Sequence, residues 1–149
     1  MTKEERCLIA KEYRQQGLFC GHCMLMAFRD VTGLDEQQSI SIGSALSSGM
    51  GYGGLCGTVA SAGVILSMRY PHAAENGVEG KKMTLKRVKE FRHRFQAQFE
   101  CLNCRELLAK EDLRGSDSAE KLAQGDHCGV MIYTAVELLH DYLDELEKE

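Results

Sequence analysis

Proline is almost absent from this sequence, with one in 149 residues, and the alternation of apolar and polar positions that marks half-buried strands is nearly missing as well. No run of about 18 apolar residues occurs, so no membrane span is predicted. Nothing at the N-terminus has the plan of a signal peptide: MTKEERCLIAKEYR is charged and amphipathic. The expected compartment is therefore a reducing cytoplasm, where seven cysteines point to metal ligation or redox chemistry rather than to a disulfide scaffold. The odd count also excludes full internal pairing. A net charge of −4 argues against nucleic acid as the main partner.

What is present is enough for one core. A hydrophobic content of 44% over this length supports a single domain spanning residues 1–149, and no linker divides it. The periodicity is helical almost throughout, so the fold class expected is all-α, a compact bundle of about five to six helices. Leu8, Ile9 and Tyr13 mark the apolar face of a first helix that Gly17 stops. A second runs from Cys23 to about Val31, and Asp35 caps a third through Ile40 and Ala45. The stretch from Gly49 to Gly54 breaks the chain, and a fourth helix follows from about Leu55 to Tyr70. Pro71 and Gly77 to Gly80 read as a loop, after which Thr84 begins a long basic helix carrying Phe91, Phe95 and Phe99 on one face. The last helix starts near Asp126.

Four cysteines fall within about a turn of an expected helix start: Cys23, Cys56, Cys104 and Cys128. Unpaired N–H groups and the positive end of the helix dipole favour an anion there, so a thiol pKa near about 8.5 can fall. Asn103 and Glu106 have the residue logic of a capping box that places Cys104 at the first helical position. Asp126 precedes Cys128 in the same way, although its carboxylate opposes a thiolate. The glycine-rich stretch delivers Cys56, and Gly21-His22 delivers Cys23. Free cysteine is also a common buried residue, so burial as a small hydrophobe is the competing reading at each position.

Other motifs carry less. Cys20-Gly21-His22-Cys23 has the form of a dithiol couple but lacks a βαβ setting, and Cys101-Leu102-Asn103-Cys104 lies too far from it along the chain for a compact zinc ribbon. The glycines from 49 to 54 lack the Lys-Ser/Thr of a phosphate-binding loop. Gly57, Ala60 and Gly63 form a small-residue stripe suited to close helix packing. His22 and His127, when protonated, would lower the pKa of the neighbouring cysteines. The segment from Lys81 to Arg94 reads as a solvated basic face.

The cysteines and their settings, Cys23 in HCMLMAF, Cys56 in GYGGLCGTVASAG, Cys104 in LNCRELL and Cys128 before VMIYTAVELL, together resemble the C_GCAxxG_C_C family of redox-active proteins. The resemblance spans most of the chain. It implies a small helical domain with four characteristic cysteines, akin to the cysteine domain that accompanies an iron–sulfur cluster in split-Soret cytochromes. The chain departs from the motif at Leu55, which adds bulk beside Cys56, and at Gly57 and Ala60. Cys7, Cys20 and Cys101 lie outside the pattern and receive no role from it.

Two functions of different class follow. In the first, a pair among Cys23, Cys56, Cys104 and Cys128 cycles between dithiol and disulfide as in a thiol–disulfide oxidoreductase, with Cys104 as the attacking thiolate. In the second, the same four thiolates bind a metal centre, an iron–sulfur cluster, and the protein carries electrons or senses. A non-catalytic helical interaction module is the third reading. The expected partner is a redox protein, with no nucleic acid and no membrane, and a homodimer suits the small-residue and aromatic faces as well as an internal core does.

Overall fold

The computed structural model describes residues 1–149. It is all-helical, with nine α-helices where five to six were expected. They are α1 (Lys3–Gln15), α2 (Cys20–Ala27), α3 (Arg29–Thr32), α4 (Glu36–Ser48), α5 (Gly57–Arg69), α6 (Gly77–Phe99), α7 (Cys104–Ala109), α8 (Asp117–Ala123) and α9 (His127–Glu147). The additional elements are short: α3 and α8 are too brief to show a helical period in sequence, and α7, whose start at Cys104 was expected, has only 6 residues. No helix is long and apolar enough to cross a membrane.

Local signals explain several boundaries. Asp35 accepts from the Gln38 N–H while the Gln38 side chain returns to the Asp35 N–H, so the capping box of α4 forms on both sides. Thr2 and Glu5 do the same for α1. The long α6 starts at Gly77, not at Thr84. Gly77 and Gly80 are helical there, and Gly80 is buried because His72 and Asn76 lie against its Cα.

α9 is the central element, packing against α1, α2, α5, α6 and α8. It buries Ile132, Ala135, Val136 and Leu139 completely. The aromatic stripe of α6 faces the same core: Phe91, Phe95 and Phe99 are all buried, with Phe95 and Phe99 centroids 4.8 Å apart. The inward face of α1 differs from expectation. Arg6, Cys7 and Ala10 are buried while Leu8 is exposed. Arg6 tolerates burial because it forks onto Asp30 at 2.6 and 2.9 Å, donates to the Ala27 carbonyl and lies 4.5 Å from the Phe28 ring centroid.

Two close approaches set the site. α2 crosses α4 glycine on glycine: a Cβ at Gly21 would fall 2.5 Å from the Gly43 carbonyl oxygen. After α4 the chain makes a left-handed turn, with Ser48, Gly49, Met50 and Gly51 all at positive φ. That turn leads into the only strand-like pairing of the fold, an antiparallel bridge between Leu55 and Asn103.

Candidate functional site

Cys20, Cys56, Cys104 and Cys128 open four different helices. Cys20 and Cys104 are the first residues of α2 and α7, Cys56 is the N-cap of α5, and Cys128 is the second residue of α9. Cys23 sits one turn into α2, where its N–H is already spent on the Phe19 carbonyl at 3.0 Å. The residue at the α2 start is thus Cys20, which the sequence motif had left without a role.

The Leu55–Asn103 bridge aligns two of these starts. The Cys56 N–H donates to the Leu102 carbonyl at 2.8 Å, and the Cys104 N–H to the Gly54 carbonyl at 2.6 Å. Leu55 and Asn103 then share one face of the ribbon while Cys56 and Cys104 share the other. Leu55 points outward and is 39% exposed, so its bulk does not intrude on Cys56. The expected capping box of α7 does not form, because the Asn103 amide donates to the Glu106 carboxylate at 3.2 Å instead.

Cys20 is the common neighbour. Its sulfur rests over the Cα of Gly57, beside Cys56. A negative charge on Cys20 is felt at Cys23, Cys56, Cys104 and Cys128, and one on Cys104 is felt at Cys128. All four predicted cysteines thus lie within electrostatic reach of a fifth. Cys7 and Cys101 stand apart: the Cys7 thiol donates to the Tyr133 carbonyl among Glu4 and Glu137, and Cys101 lies toward Lys110. The sequence did offer a sign of Cys20, since the first sulfur of a CxxC at a helix start is the one nearest free N–H groups.

Burial outweighs the helix ends. It pushes the Cys23 thiol up to about 12, with Arg14 opposing, and the Cys56 thiol up to about 12, with a 3.1 Å hydrogen bond to the Thr58 hydroxyl opposing. Cys104 and Cys128 are raised by the same cause and further by charge on Cys20, and Arg14 acts against the rise at Cys128. His22 supplies no compensating charge. His22 is buried, its Nε2–H donating to Ser44 Oγ at 2.9 Å, whose own proton goes to the Ile40 carbonyl, while Nδ1 accepts from the Phe19 N–H at 3.0 Å. Burial lowers its pKa, so it stays neutral. His127 donates through Nε2 to the Leu107 carbonyl at 2.8 Å.

In this centre Cys23 and Cys56 are enclosed, Cys104 and Cys128 are half-buried with their thiol pKa values also raised, and Cys20 is half-buried beside them. The all-sulfur donor set suits an iron–sulfur cluster in kind. No three His, Cys, Asp or Glu side chains are grouped closely enough to hold a single metal ion. Exposed apolar side chains border the thiols along the chain: Phe19 before Cys20, and Met50, Tyr52 and Leu55 ahead of Cys56.

A model of one protein family matches residues 18–142, under the description "Putative redox-active protein (C_GCAxxG_C_C)". No curated protein and no solved structure shows a significant match to the chain.

Proposed function

The chain belongs to the C_GCAxxG_C_C family, and from that premise we propose that it is a thiol–disulfide redox protein whose working pair is Cys104 and Cys20. The observation that carries this reading is that Cys20, at the start of α2, lies within electrostatic reach of Cys56, Cys104 and Cys128, each at the start of another helix.

Cys104 is the attacking group, since it sits at the first position of α7 and reaches solvent. Its thiolate attacks one sulfur of a substrate disulfide, forming a mixed disulfide and releasing the other sulfur as a thiolate. Cys20, deprotonated in turn, attacks the Cys104 sulfur, closes a Cys20–Cys104 disulfide and releases the second substrate thiolate. The two thiol protons of the protein end on the substrate sulfurs. The substrate gains two electrons and the protein loses two. The apolar residues beside the thiols suit a protein as the disulfide-bearing partner.

Trapping tests the assignment. With a disulfide substrate, Cys20→Ser should accumulate the mixed disulfide on Cys104, and Cys104→Ser should form none. Turnover that survives Cys104→Ser overturns the assignment. Protein purified without oxygen that is brown and holds stoichiometric iron would replace the dithiol reading with the cluster one.

A further inference from the structure

Three side chains outside the thiol group link the helix that carries Cys20 to the helix that carries Cys104. Arg14, near the end of α1, donates through Nε to Asp126 Oδ2 at 2.8 Å and through Nη2 to Asp126 Oδ1 at 3.1 Å. Its remaining nitrogen, Nη1, donates to the Leu18 carbonyl at 3.1 Å, two residues before Cys20. Asp126 is the N-cap of α9. The next residue, His127, donates to the Leu107 carbonyl, which belongs to α7 one turn beyond Cys104. The path from Cys20 to Cys104 thus runs through Leu18, Arg14, Asp126, His127 and Leu107.

We propose that Arg14 and His127 are positioning residues for the dithiol step, holding the start of α2 and the body of α7 against the N-terminus of α9 so that Cys20 faces Cys104. This rests on the reading of Cys104 and Cys20 as the working pair. Arg14 is suited to the task because a planar guanidinium can satisfy both carboxylate oxygens and a carbonyl at once, which an ammonium cannot do in one fixed geometry. It also lies ahead of residues 18–142, the segment matched by the family model, so the bracket is partly built from sequence outside the shared motif. Neither side chain donates to a thiol, so each acts through the backbone it holds.

Geometry of this kind governs the intramolecular step and leaves the first attack alone. A misplacement of about 1 Å costs up to roughly a hundredfold in rate. In Arg14→Met and His127→Leu, attack of Cys104 on a small aromatic disulfide should keep its wild-type rate, while release of the second thiol slows by about ten- to a hundredfold and the mixed disulfide accumulates. His127→Gln keeps an N–H donor toward the Leu107 carbonyl and should recover the resolving step. Arg14→Lys, with its charge kept and its fork lost, should not. A readout independent of turnover is cross-linking of Cys20 to Cys104 in the folded, reduced protein by a short bis-alkylating reagent, located by peptide mass spectrometry. High yield in the wild type and His127→Gln with at least a fivefold fall in Arg14→Met and His127→Leu would support the bracket. Equal cross-linking in all four, or equal slowing of both chemical steps in proportion to lost stability, would overturn it. Cross-linking that behaves as expected in a protein that shows no disulfide turnover would reject the dithiol function while leaving the bracket standing.

Discussion

The sulfur of Cys20 rests on the bare Cα of Gly57, in the space where any other residue would place its Cβ. A methyl there would also fall 2.9 Å from the Leu46 carbonyl oxygen, which belongs to backbone and cannot swing aside. Gly57→Ala should therefore turn Cys20 away and cost about 1–3 kcal/mol through overpacking. Urea unfolding measures the cost, and the Cys20–Cys104 cross-linking yield reports the displaced sulfur. Unchanged yield would show that Cys20 does not need this contact.

The crossing of α2 and α4 is equally tight. A Cβ on Gly43 would stand 2.7 Å from the His22 backbone nitrogen and 2.8 Å from the Gly21 carbonyl carbon, so Gly43→Ala should destabilise by about 1–3 kcal/mol. Denaturant titration of the reduced protein is the check.

Gly77 gives the opposite sign. It is helical at the start of α6, with nothing within 4 Å of an added Cβ. Gly77→Ala should stabilise by about 0.5–1 kcal/mol, because the unfolded chain loses freedom and the helix gains a better former. A fall in the melting temperature would contradict this.

Stability should decline at both ends of the pH scale for identifiable reasons. Burial holds Cys7, Cys23 and Cys56 at about 12, against an unperturbed value of 9.0. The unfolded chain releases these protons first, so the contribution is whole below pH 9 and is lost as pH rises from 9 toward 12. The slope is about 1.4 kcal/mol per pH unit for each thiol. Urea midpoints under reducing conditions should drop steeply above pH 9, and less steeply in Cys7→Ser.

On the acid side, burial lowers the pKa of His22 from 6.5. The unfolded state then binds the proton first, so stability is whole above pH 6.5 and falls as pH drops below it. Protonating Nδ1 would also remove the acceptor of the Phe19 N–H at the start of α2. His22→Gln should flatten the unfolding profile between the histidine and carboxylate ranges. A profile that stays as steep would assign the acid limb to other groups.

How far the fold could be read from sequence depended on whether its cause was local. α4 was legible because Asp35 and Gln38 make both halves of their capping box. The inward face of α1 was not. The partners of Arg6 and Arg14, Asp30 and Asp126, are distant in sequence and receive them in part-buried ion pairs. The start of α6 was misplaced because Gly77 and Gly80 read as a loop, while His72 and Asn76 cover Gly80 in space. Within the site, helix-start logic located Cys56, Cys104 and Cys128 correctly. It chose Cys23 over Cys20 because the apolar run Met24-Leu25-Met26 drew the expected helix one turn late. The depressed thiol pKa values failed for a related reason: a helix end is visible in sequence, and the burial that overrides it is not.

The Leu55–Asn103 bridge also bears on when the thiols can meet during folding. Everything from α5 to the end of α6 lies between its two sides, so it closes only after those helices have docked and the entropy of a long loop has been spent. Cys20 and Cys128 come from segments outside that loop. A nascent or partly folded chain therefore favours pairs close in sequence, Cys20 with Cys23 and Cys101 with Cys104, and pairing of Cys20 with Cys104 begins at the final stage of assembly. Oxidative sensitivity of the correct pair becomes a readout of complete folding, so a pulse of mild oxidant during refolding should fix it in late molecules and give mixed products in early ones.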